Sequence, residues 1–226
     1  MIEEIINEPY YQNKLLDIAY TIKHLDNVEI YIDGSLKDLK KDICSMGIEW
    51  FIVNLEINNI KFHASLSSFP SSTKVETYIL LTALIVCPIN SIVDVYLNSA
   101  NTINTFNKLF IEQSINNTQI LKLPNCWGWK TIEYIIQNLH LDVRLHKVKA
   151  YSNNKLNDKA DKLAKEGASC STLIIIISNN VPIHLKFNNN ILDLPIYKFW
   201  KNYYNAKYFD QFLVLKRNIN YKDLIQ

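Results

Sequence analysis

Glu29-Ile30-Tyr31-Ile32-Asp33-Gly34-Ser35 is a β-branched and aromatic run that ends in an acid and then Gly-Ser. Strand alternation sets Ile30 and Ile32 on one face and Tyr31 and Asp33 on the other, so the carboxylate closes a strand that reads as buried on both sides. A charge there is costly. It must be paired, hydrogen-bonded or bound to a metal, or it neutralises. An Asp that merely starts a turn before Gly-Ser is the ordinary alternative. The acids further along the chain decide between the two.

With 226 residues, 48% of them hydrophobic, the chain can bury one full core and have length to spare. The expected division is an N-terminal helical extension over 1–27, a domain over 28–168 and a C-terminal extension over 169–226. A net charge of +2 neither demands nor excludes a polyanionic partner. No apolar run approaches the ~20 residues of a membrane span. Met1-Ile2-Glu3-Glu4 lacks the basic-then-apolar order of a signal peptide, so a soluble intracellular protein of cytoplasm or nucleus is expected. Cys44, Cys87, Cys126 and Cys170 are widely spaced with no Cys-x-x-Cys pair and read as reduced core residues.

Residues 9–25 show helical periodicity through Leu15, Leu16, Ala19, Ile22 and Leu25. Strand-like segments follow at 28–34, 43–55 and 58–66, and their short connections predict antiparallel pairing. Ser71-Ser72-Thr73-Lys74-Val75-Glu76 reads as a helix start with polar caps. Ile92 to Leu97 reads as a strand ending at Asn98-Ser99, with a helix from there to about Gln113. The order strand, helix, strand predicts a parallel crossover into the same sheet. A second helix is expected over 131–138, a strand from Leu141 to Ala150, and a last helix from Lys155 that Gly167 ends. Ser171 to Ile177 suggests a further strand.

Three acids stand out by position. Asp33 ends a strand. Glu76 falls on the apolar stripe of its helix with Leu80, Ala83 and Cys87, where a solvated Glu would lie opposite. Asp161 flanks the stripe of Leu156, Ala160, Leu163 and Ala164, whereas Asp158 points to water.

Five ordered blocks, Tyr31-Ile32-Asp33-Gly34-Ser35, Ser71 to Glu76 with Leu81-Thr82-Ala83-Leu84, Val95-Tyr96-Leu97-Asn98-Ser99, Val148-Lys149-Ala150-Tyr151-Ser152 and Asn157 to Ala164, resemble the motifs of type 1 ribonuclease H, of the kind carried by retrotransposons. The resemblance covers about 28–168. It implies an α/β fold with a five-stranded mixed sheet in the order 3-2-1-4-5 and helices on both faces. Strands 1 and 4 would then be neighbours, bringing Asp33 beside position 98 at a topological switch. It further implies Mg²⁺-dependent hydrolysis of the RNA strand of RNA–DNA hybrids, with two Mg²⁺ ions held by Asp33, Glu76, position 98 and Asp161. Ser35, Lys74, Lys147, Lys149 and Asn157 are the nucleic-acid-binding positions it implies.

The chain departs from this pattern twice. Asn98 stands where the family has a catalytic Asp, which lowers the charge of the cluster from four to three against two divalent cations. Tyr151 stands where the family usually has a His, and a phenol with pKa near ~10 exchanges protons poorly at neutrality. His146 lies in the strand upstream and is no evident substitute. The expectation is therefore an impaired hybrid ribonuclease, with a catalytically dead, retroelement-derived nucleic-acid-binding or interaction module as the alternative.

Arg144 to Lys165 carries seven Lys and Arg against two Asp, which reads either as a phosphate-facing patch or as a solvated helix face. Residues 195–217 interleave Tyr197, Phe199, Trp200, Tyr203, Tyr204 and Phe209 with lysines. That pattern suits stacking on single strands, or, as the more ordinary reading, an amphipathic helix that covers the domain.

Overall fold

The structure is a computed structural model and describes residues 1–37, 45–53, 60–67, 70–148, 186–187, 190–191 and 196–214. The Glu29–Ser35 run lies inside strand β1, Asn27–Lys37. β2 (Ser45–Ile52) and β3 (Lys61–Leu66) follow it in an antiparallel meander. β4 (Ile92–Leu97) pairs with β1 in parallel, and β5 (Asp142–Lys147) pairs with β4 in parallel. The sheet order is β3-β2-β1-β4-β5, the expected mixed topology. β6 (Lys186–Phe187) and β7 (Asn190–Ile191) form a separate two-residue antiparallel pair.

One sheet face carries Ile30, Ile32, Trp50 and Phe62, all at most 2% exposed. Helix α3 (Ser72–Leu84) packs there, and the indole N–H of Trp50 donates to Thr82 Oγ1 at 3.2 Å. The Ser71 hydroxyl accepts from the Lys74 backbone N–H at 3.0 Å, a cap worth about 1 kcal/mol. The sequence pattern of α3 thus has a definite start, and its apolar faces have a sheet to meet.

The N-terminal segment joins this core. α1 (Ile2–Ile5), which the periodicity did not predict, and α2 (Pro9–Ile22) bury Ile2, Ile5, Tyr11, Leu15, Ile18 and Ile22. Tyr11 meets the Phe62 ring edge-on at 5.7 Å. α2 stops three residues short of the expected end. Leu16, expected on its apolar stripe, is 38% exposed, because it lies about 100° around the helix from Leu15.

The opposite sheet face carries a ring ladder across four strands. Phe51, Tyr31, Tyr96 and His146 stack in turn at 5.5, 4.6 and 4.9 Å between ring centroids, each on its register neighbour. Cross-strand pairs of this kind fix register, since a slip of one residue would send every ring to the other face.

After β4 the chain forms α4 (Ala100–Phe106), which continues as one π-helical turn, Asn107–Ile111. The expected helix to Gln113 is thus shorter and changes type. A short α5 (Asn117–Ile120) precedes α6 (Cys126–Leu139). α6 begins five residues before the expected 131, and Trp127 and Trp129 sit within its first turn, buried at 8% and 4% exposure. The start was hidden because Asn125 enters in the left-handed conformation, φ 57°, and makes no capping bond. α6 packs on α3, and a Cβ added to Gly128 would lie 2.9 Å from Thr77 Cγ2. β5 ends at Lys147, short of the expected Ala150. Ile196–Val214 is a 19-residue helix, α7. Cys87 and Cys126 are buried and reduced, as expected; Cys44 and Cys170 lie outside the described residues. Among the described residues no helix is long and apolar enough to cross a membrane.

Candidate active site

Gly34 decides how close α3 comes to β1. A Cβ at this position would overlap Val75 Cγ1 and come within 3.9 Å of Glu76 Oε1. The absent side chain therefore lets the helix settle on the strand and delivers Glu76 next to Asp33. Asp33 is 7% exposed, and its Oδ1 accepts from the Gly34 backbone N–H at 2.9 Å.

Glu76 is half-buried overall, yet its Oε2 is fully buried with no hydrogen-bond partner. Desolvation first, and the charge of Asp33 second, push its pKa up to about 7. A buried carboxyl oxygen without a donor, beside a second carboxylate, is a costly arrangement that a divalent cation would relieve.

Asn98 follows the last residue of β4 and is half-buried. The parallel register pairs Tyr31 with Tyr96. Asp33 and Asn98 each lie two residues beyond that last observed pair. Asp33 and Asn98 thus lie toward the same end of the β1–β4 pair, and Glu76 is close enough to Asp33 to feel its charge. Among the described residues no three His, Cys, Asp or Glu side chains are grouped to hold a metal ion. Asp161, Tyr151, Lys149 and Asn157 lie outside the described residues.

The remaining positions are placed as follows. Ser35 is buried at 9% exposure, one residue past Gly34. Lys74 is buried at 7% exposure, with Nζ donating to the Ser67 carbonyl at 3.0 Å and lying 5.6 Å from the centre of the Tyr78 ring. Lys147 is exposed at the end of β5. His146 belongs to the ring ladder and bonds Asp94 through Nε2 at 2.5 Å. Asp94 is thereby engaged, level with Glu29 and four residues, roughly 13 Å along the strand, before Asn98.

Two features escaped the sequence reading. Glu49 is the antiparallel partner of Asp33 and is fully buried. Its signal was a lone acid inside the apolar run Ile48 to Ile52. The second is a recess of about 130 Å³ whose lining mixes Thr73, Thr77, Thr102 and Asn125 with Leu123 and Trp129. Asn125 Nδ2 donates to Thr73 Oγ1 at 3.3 Å and ties the start of α6 to the first turn of α3. The left-handed Asn is a signal visible only once the helix start is known.

A five-stranded mixed sheet in which β1 and β4 pair in parallel at the switch from the antiparallel meander defines an α/β protein. The RNase H family model matches residues 26–169, and the chain belongs to that family. The structure is similar to that of the foamy viral protease-reverse transcriptase in complex with dsDNA, at 21% identity and TM-score 0.51, covering 66% of this chain and 97% of that one. It is also similar to LC9-RNase H1, a type 1 RNase H with the type 2 active-site motif, at 12% identity and TM-score 0.51, covering 68% of this chain and 78% of that one. These likenesses show the fold, a five-stranded mixed sheet with helices on both sides. No curated protein sequence matches the chain.

Proposed function

We propose that this protein binds RNA–DNA hybrids and carries a Mg²⁺-dependent ribonuclease site of the RNase H type, with hydrolysis weakened by Asn98 and Tyr151. The observation that carries the reading is the buried, unbonded Oε2 of Glu76 beside Asp33. Two carboxylates and an amide oxygen form the hard oxygen donor set that Mg²⁺ takes. When bound, the metal would activate the attacking water and stabilise charge developing at phosphorus. Asp33 and Glu76 would hold it, with Asp161 as the family's further ligand. Asn98 would offer one neutral oxygen in place of a charge.

The recess at Thr73 and Asn125 presents hydroxyls and an amide at the first turn of α3, the helix that carries Glu76. Groups of this kind position a nucleic-acid backbone through its phosphate oxygens. Lys147 at the exposed end of β5 would add charge to that surface.

Asn98 also favours a second reading, in which a retroelement-derived relic keeps hybrid binding and has lost cleavage. One assay separates the two. Purified protein and its Asn98→Asp variant are incubated with end-labelled RNA–DNA hybrid and Mg²⁺ or Mn²⁺. Cleavage by the unaltered protein supports the enzyme. Binding alone, with cleavage only in the variant, supports the relic, and absence of hybrid binding by either protein would sink both.

A further inference from the structure

The helix α7 presents an exposed aromatic stripe outside the acid site. Trp200, Tyr204 and Tyr208 follow one another at four-residue steps and are 42, 45 and 63% exposed. Their rings contact in series, 5.8 Å apart at 32° and then 6.1 Å apart at 26°. Tyr197, 63% exposed, lies on the same face one turn earlier. With Trp200 at zero on a helical wheel, the four rings span about 0° to 80°, with Lys207 near −20° and Lys201 near 100° on the two flanks. Large rings in water lose free energy that burial would recover, and four aligned on one face need a partner. The ordinary expectation for 195–217, a helix whose aromatics cover the domain, does not account for these four exposed rings.

We infer that this face of α7 is a binding site for single-stranded nucleic acid, separate from the acid site. The chemistry of the face selects that occupant. Bases stack on aromatic rings whatever their identity, and flanking lysines neutralise the backbone phosphates. The rings recur about every 6 Å along the helix axis, which offers successive platforms to an extended strand. Three lysines against one aspartate in α7 give the helix the complementary charge. A membrane-docking helix would set Phe and Leu beside Trp on that face. The arc between Lys207 and Lys201 holds neither.

The inference does not depend on cleavage at Asp33 and Glu76. The four tryptophans give it a direct readout, because Trp50, Trp127 and Trp129 are buried at 0, 8 and 4% exposure while Trp200 is open. The full chain is titrated with a fluorescein-labelled single-stranded 15-nucleotide RNA, the matching DNA, an RNA of the same length lacking bases, a hybrid duplex and phosphatidylserine vesicles. Anisotropy and tryptophan emission are read together. Expected are quenching of Trp200 by both base-bearing strands, weaker binding of the base-free strand, and a loss of single-strand affinity of at least tenfold in the Trp200→Ala, Tyr204→Ala, Tyr208→Ala triple variant. Hybrid affinity should change far less in that variant, which separates failure here from failure at the acid site. Circular dichroism checks that the variant folds, and Trp200→Phe, which keeps a ring, should retain binding. Equal affinity of the triple variant and the unaltered chain would overturn the inference. So would equal binding of the base-free strand, or an emission response to vesicles alone.

Discussion

Gly34 and Val75 are in such close contact that any side chain on residue 34 would overlap the Val75 methyl group. That approach lets α3 lie on β1 and sets Glu76 beside Asp33. One missing Cβ thus links the Asp-Gly-Ser stretch to the position of the second acid.

Gly34→Ala is therefore expected to destabilise the fold by roughly 1–3 kcal/mol, the usual cost of forcing a methyl into a packed contact. The double variant Gly34→Ala, Val75→Ala should lose less than the sum of the two single losses, since the smaller side chain makes room. Urea denaturation of the four proteins measures this. Additive losses would mean that the contact does not set the helix position.

The raised pKa of Glu76 gives a pH dependence of definite sign. In the folded chain the carboxyl holds its proton up to pH of about 7, against 4.5 ordinarily. The folded state thus binds more protons between those values, and stability falls as pH rises from about 4.5 to 7. The shift corresponds to about 3 kcal/mol in order of magnitude. Thermal melts in chelator should show the decline, and Glu76→Gln should flatten it. Mg²⁺ should raise the melting temperature more at pH 8 than at pH 6, because only the ionised carboxylate attracts it.

Asn125 holds a left-handed backbone, φ 57°, at the entry to α6 and bonds Thr73. Asn125→Ala replaces a side chain that tolerates the left-handed region with one that does not, at a cost of up to about 1–2 kcal/mol, and removes the bond. Asn125→Gly should recover most of the stability, since glycine adopts this conformation freely. Both variants should bind hybrid less tightly if the recess contacts the backbone, and filter binding would show it. Unchanged affinity in both would remove the recess from the interface.

Cys87 is buried, and burial pushes its thiol pKa up, so almost no thiolate exists near neutrality. Labelling by a thiol-specific reagent in native buffer should be slow and should accelerate on unfolding. Fast native labelling of Cys87, located by peptide mapping, would contradict the packing of α3.

Much of this architecture was legible in the residues. Period-two runs with short turns gave the meander, and the strand-helix-strand order gave the parallel pair β1 and β4. Glu76 on an apolar stripe was readable because a wheel needs only spacing. Leu16 was misplaced because α2 buries a single stripe, through Tyr11, Leu15, Ile18 and Ile22, and Leu16 lies about 100° around from Leu15. The start of α6 was missed because Asn125 turns into the helix through its backbone conformation, which sequence does not display. Glu49 was overlooked because only register shows which acid faces Asp33. Asp161 and Tyr151 lie outside the described residues, so their expected roles rest on the resemblance of the motif.

The most direct test of a shared site at Asp33, Glu76 and position 98 is Mn²⁺ binding measured by electron paramagnetic resonance at pH 8. The account predicts that the unaltered protein binds the ion, that Asn98→Asp binds it about tenfold more tightly through the added charge, and that Asp33→Asn or Glu76→Gln abolishes the gain. An Asn98→Asp variant with unchanged affinity, or one whose gain survives loss of Asp33, would contradict it.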